Sequence, residues 1–90
     1  MFIMIETVIN KDSSYYELAG RFEKLEDAQR FMRELSDDAL NNDEYNFDTR
    51  EVDFAERSCS VFKEYDDELR CVRWVIFDTC KDGAQGFTFD

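Results

Sequence analysis

The 90-residue chain carries 22 Asp and Glu against 11 Lys and Arg and no His, a formal net charge of −11. Its length allows one domain, because a chain of this size buries only about 60–65% of its unfolded surface, while 43% hydrophobic and 16% aromatic residues suffice for a core and argue against disorder. The acidity excludes direct binding to DNA, RNA or an anionic membrane, and the missing imidazole excludes Ser-His-Asp and Cys-His pairs, His-ligated zinc and His general bases.

In chain order, residues 2–9 (Phe-Ile-Met-Ile-Glu-Thr-Val-Ile) are apolar and β-branched and predict a buried strand. No basic residue precedes this apolar run, so it reads neither as a signal peptide nor as a membrane span. Asn10 to Ser14 form a turn cluster. Residues 15–22 then alternate, with Tyr16, Leu18 and Phe22 on one face, Glu17 and Arg21 on the other, and Gly20 placed for a bulge. This predicts a hairpin. A helix competes for the same residues, because Ser14-Tyr15-Tyr16-Glu17 is a capping box and Leu18, Phe22 and Leu25 keep helical spacing. Gly20 favours the hairpin, since glycine costs a helix interior about 1 kcal/mol relative to alanine.

Residues 24–40 predict one amphipathic helix, with Leu25, Ala28, Phe31/Met32, Leu35 and Ala39 as its apolar stripe. Glu26 and Asp27 suit the positive end of the dipole, and Asn41-Asn42 can end the helix through the left-handed conformation that Asn tolerates. Residues 45–54 alternate in two halves, Tyr45/Phe47 and Val52/Phe54, that slip phase near Arg50, which predicts a strand with a bulge there. Residues 58–65 and 69–78 flank Asp66-Asp67-Glu68 as a second hairpin, with a helix over 54–70 as the alternative because Val61, Tyr65, Leu69 and Val72 keep a helical period. Cys71 to Phe77 predicts a central strand, Asp82-Gly83 a turn, and Gly86 to Phe89 a short final strand. The order gives a small single α+β domain spanning 1–90: an antiparallel sheet of about five strands with the helix on one face.

Little in the sequence points to catalysis. Gly20, Gly83 and Gly86 lie in no phosphate-binding pattern. Cys59, Cys71 and Cys80 have spacings that match no zinc ribbon, and each reads as a small buried hydrophobe in a reducing cytoplasm. Asp43-Glu44 with Asp48, and Asp66-Asp67-Glu68, lack the alternating pattern of a calcium loop. Glu51 and Asp53 could act as general acid and base, but nothing else predicts an enclosed pocket around them. The expectation is a non-enzymatic protein with no metal and no cofactor.

The charge is concentrated. Between residues 34 and 56 stand Glu34, Asp37, Asp38, Asp43, Glu44, Asp48, Glu51, Asp53 and Glu56, with Arg50 the only base, so this segment carries a net −8. Asp37 and Asp38 fall in the last helical turn, where the dipole disfavours each by about 0.3–1 kcal/mol, and Glu34 and Asp38 form a like-charge i, i+4 pair. Residues that oppose folding are where function is to be sought. On a strand, Glu51 and Asp53 would share one face about 6.8 Å apart, comparable to successive phosphates of a nucleic acid. These nine acids and Tyr45, an aromatic anchor inside the segment, are the candidate partner-binding residues. The small size, acidity and aromatic richness resemble, in type, the phage-encoded DNA-mimic inhibitors, among them anti-restriction, anti-CRISPR and uracil-glycosylase inhibitor proteins. That resemblance rests on no residue-by-residue motif. It implies a partner with a basic nucleic-acid-binding groove (a nuclease, an RNA-guided effector or a polymerase) and, for a phage-encoded chain, the host cytoplasm. Two other readings stand beside it: a solvated acidic face that serves solubility, and a structural or regulatory domain that docks through an apolar patch or sheet edge. An open sheet edge also makes a homodimer plausible.

Overall fold

The computed structural model describes residues 1–63 and 70–79. Five strands, β1 (Phe2–Ile9), β2 (Ser14–Phe22), β3 (Thr49–Val52), β4 (Ser58–Phe62) and β5 (Cys71–Asp78), form one sheet in the order β2-β1-β5-β4-β3. Every neighbouring pair is antiparallel. Helix α1 (Leu25–Leu40) packs across one face. The α+β architecture, the first hairpin and the central position of β5 agree with the sequence reading, and strand β4 removes the alternative helix over 54–70. The predicted turns at 66–68 and 82–83 and the strand at 86–89 lie outside the described residues.

The core forms where two periodicities meet. Met4 of β1, Val72, Trp74 and Ile76 of β5, and Cys59 and Val61 of β4 alternate toward the helix, which answers with Ala28, Met32 and Ala39. Ser36 occupies the same helical stripe and is fully buried. Its hydroxyl donates to the Arg33 carbonyl at 2.9 Å and accepts from the Arg50 guanidinium at 3.1 Å, which meets the demand that buried polar groups be paired.

Three local expectations are corrected. First, the strand predicted over 45–54 is only four residues long, and its register against β4 runs without a bulge at Arg50. The phase slip arises earlier, because Asn46 adopts a left-handed conformation (φ 55°) that turns Phe47 into the core before the strand begins. Second, Asn41 ends the helix in a right-handed conformation, and the Asn42 side chain instead accepts the Glu44 amide at 2.9 Å to hold the following turn. Third, the register of β2 against β1 shifts between Met4 and Ile5, where Gly20 pairs with Met4 and Leu18 with Ile5. Ala19 is the extra residue. The bulge reverses the alternation, so Phe22 faces the helix while Tyr16 and Leu18 face away from it, and Glu17 turns to the helix side.

Candidate functional site

The candidate acids separate into three groups. Glu34, Asp38, Asp43 and Glu44 are exposed along the C-terminal half of α1 and the loop after it, and no described basic side chain pairs with them. Tyr45, 40% exposed and stacked on Phe47 with ring centroids 5.1 Å apart, stands in the same loop. Of these five, Asp38 and Tyr45 line a common cleft.

The second group is taken up by the fold. Asp37, which the dipole disfavours in the last helical turn, pairs with Arg50. Glu56 pairs with Arg33. Asp53 lies beyond β3, where its carboxylate accepts the Arg57 and Ser58 amides at 2.7 Å each. Burial pushes this carboxyl up, but the amide bonds from Ser58 and Arg57 outweigh it and hold the group below its ordinary value. Asp53 therefore builds the β3–β4 turn and does not form a strand-face pair with Glu51. The third group points elsewhere: Arg50 and Val52 face the helix, so Glu51 lies on the opposite face of the sheet. Asp48, at the entry to β3, accepts the Thr49 hydroxyl at 2.8 Å.

Beside the first group opens a feature the sequence reading missed. The helix begins against Phe22 of β2, where the Phe22 and Phe31 rings are 5.5 Å apart, and ends over β3 through the contacts of Ser36 and Asp37 with Arg50. This oblique crossing leaves the first half of the edge strand β2 uncovered. The resulting cleft, about 330 Å³, lies between β2, β1 and the C-terminal half of α1 and is lined by Glu6, Glu17, Asp38, Tyr15, Tyr45 and Trp74, among others. Glu6 and Glu17 stand directly opposite each other across the β1–β2 ladder, an arrangement of like charges that costs stability. The indole Nε1 of Trp74 donates to Glu6 at 2.8 Å and fixes that carboxyl at the base of the cleft. Burial raises the Glu6 carboxyl above its ordinary value; the Trp74 bond opposes the rise and Glu17 adds to it.

Glu6 was detectable in principle as the one charged residue inside the apolar run 2–9. Glu17 was not, because only the bulge turns it inward. Trp74 is core, as its strand predicts, at 2% exposure. Cys59 is buried and Cys71 half-buried; both are free, and burial raises both thiols. They point to opposite faces of the sheet, since Cys59 pairs with Trp74 and Cys71 with Ile9 and Phe62. No helix among the described residues is long and apolar enough to cross a membrane.

Comparison with protein-family models, with curated proteins and with solved structures finds no match to this chain.

Proposed function

We propose that the protein is a non-enzymatic acidic binding protein that occupies the basic groove of a nucleic-acid-handling protein, in the manner of the phage-type DNA mimics. Glu34, Asp38, Asp43 and Glu44, with Tyr45 among them, form the docking surface. The observation that carries the reading is the uneven use of counter-charge. Arg30, Arg33 and Arg50 are bound to Asp27, Glu56 and Asp37, while the acids around the helix end keep their charge facing solvent with no basic residue in the last turn. Such a surface attracts a basic groove through the Coulomb and counterion forces that attract DNA to it. The test is retention of an extract on the immobilised chain. Proteins that bind nucleic acid and are displaced by added duplex DNA are expected; retention of none contradicts the reading.

A second reading has its own observation. The sheet face away from α1 carries an apolar groove of about 460 Å³ lined by Met1, Ile3, Ile5, Tyr16, Leu18 and Arg21, with Glu17 of the edge strand reaching its rim, and no described helix covers it. Docking there, by a partner or a second copy, belongs to a structural or regulatory domain. Its affinity would barely respond to salt, whereas docking through the acids weakens steeply as ionic strength rises.

A further inference from the structure

We infer that the cleft between β2 and the end of α1 is a receptor for a single arginine side chain projecting from the basic partner. This inference rests on the docking surface proposed above, which borders the cleft through Asp38 and Tyr45.

Shape comes first. A cavity of about 330 Å³ lies at the small end of ligand pockets, which run from about 300 to 1,000 Å³. It holds one extended side chain rather than a folded ligand. Its walls are aromatic on three elements: Tyr15 from β2, Trp74 from β5 and Tyr45 from the loop after α1. Aromatic faces attract cations through the ring quadrupole. Its charged groups all have one sign, with Glu6 from β1, Glu17 from β2 and Asp38 from α1; Asn42 adds a neutral amide, and no described basic residue lines it. The carboxylates are not gathered as metal ligands are: no group of three or more such side chains among the described residues is placed to hold an ion. Glu6 and Glu17 lie side by side on the β1–β2 ladder and Asp38 faces them from α1, which suits a cation with several donors on one plane.

Arginine meets that description better than lysine. Its guanidinium stacks on aromatic rings, offers five donors in a fixed fork and sheds water more readily than an ammonium. The cleft also holds a deficit that such a ligand removes. Glu6 and Glu17 face each other with no positive charge between them, and the groups that surround Glu6 from the other elements are Trp74 on β5, Asp38 on α1 and the tyrosines Tyr15 and Tyr45. None is cationic. A guanidinium inserted there would offset the repulsion between the two carboxylates.

Trp74, the only tryptophan, reports directly on the cleft. The experiment titrates the intact chain with an acetylated, amidated Gly-Arg-Gly peptide, following Trp74 fluorescence, with the lysine and citrulline peptides as controls. Saturable binding of the arginine peptide is expected, at least threefold tighter than lysine, undetectable for citrulline, and weakened about tenfold or more in Glu17→Gln and in Glu6→Gln. Glu17 lies on the exposed edge strand, so its variant tests the cleft even where Glu6→Gln perturbs folding. No saturable response, equal affinity for lysine, or unchanged binding in Glu17→Gln overturns the inference. A variant with Glu34→Lys, Asp43→Lys and Glu44→Lys separates the two proposals. It is expected to keep arginine-peptide binding within about threefold while losing the basic partner. Partner binding that survives in Glu17→Gln at full strength sinks the cleft and spares the docking surface.

Discussion

Asp53 and Glu6 show how one residue type serves opposite ends. Asp53 stabilises the fold by accepting two amides, and its folded pKa lies below the ordinary value of 3.8. A depressed carboxyl contributes stability that is present above pH 3.8 and is lost as pH falls through the folded value. Asp53→Ala should therefore cost about 1 kcal/mol at pH 7, the scale of a lost side-chain cap, with the difference vanishing in strong acid. Urea unfolding at several pH values measures this. Glu6 runs the other way. Its folded pKa is raised above 4.5, so its cost is absent well below pH 4.5 and complete above the folded value. Glu6→Gln should be more stable than the parent at pH 7 by about 0.5 kcal/mol, the scale of a cross-strand like-charge pair, and the gain should shrink toward pH 4. A variant more stable yet weaker in arginine binding identifies a residue kept for function. Equal stability at both pH values contradicts the account of Glu6.

At the scale of elements, the strongly periodic segments were legible in the sequence and the irregular ones were not. The apolar runs of β1 and β5 and the helical stripe of α1 declare their own partners, because burial on one face enforces periods of 2 and 3.6. The bulge at Ala19 inserts one residue between the two halves of β2, so Glu17 before it shares the helix-facing side with Gly20 and Phe22 after it, which simple alternation does not show. The turn 53–58 hides Asp53 in the same way, since only the fold brings its carboxylate to the Arg57 and Ser58 amides. Counting acids pointed to the charged helix end but did not separate the exposed acids there from the carboxylates of Asp37, Glu56 and Asp53, which pair with arginines or accept turn amides. Gly20 supplies a test of the β2–α1 junction. A Cβ there would lie 2.8–2.9 Å from the Phe22 ring, and that ring is held against Phe31. Gly20→Ala should destabilise the domain by about 1–3 kcal/mol, the cost of overpacking, visible as a lower thermal midpoint. An unchanged midpoint contradicts the close packing at this junction.

For the whole molecule, the net charge of −11 divides between structure and surface. Asp37 with Arg50 and Glu56 with Arg33 tie α1 to the β3–β4 hairpin, and Asp53 builds its turn; Glu34, Asp38, Asp43 and Glu44 pair with no described basic side chain. Reversing Glu34, Asp43 and Glu44 to lysine should leave the thermal midpoint unchanged or raise it slightly, because it removes repulsion among exposed acids, including the i, i+4 pair of Glu34 with Asp38, worth a few tenths of a kcal/mol. Reversing Asp37 or Asp53 instead should lower it. The most direct measurement of the central claim compares extract proteins retained by the immobilised parent and by the Glu34→Lys, Asp43→Lys, Glu44→Lys variant under a salt gradient. The account predicts that the parent retains nucleic-acid-binding proteins, releases them steeply at moderate salt or on addition of duplex DNA, and that the variant retains none of them. Retention of the same proteins by both, insensitive to salt and to DNA, would contradict it.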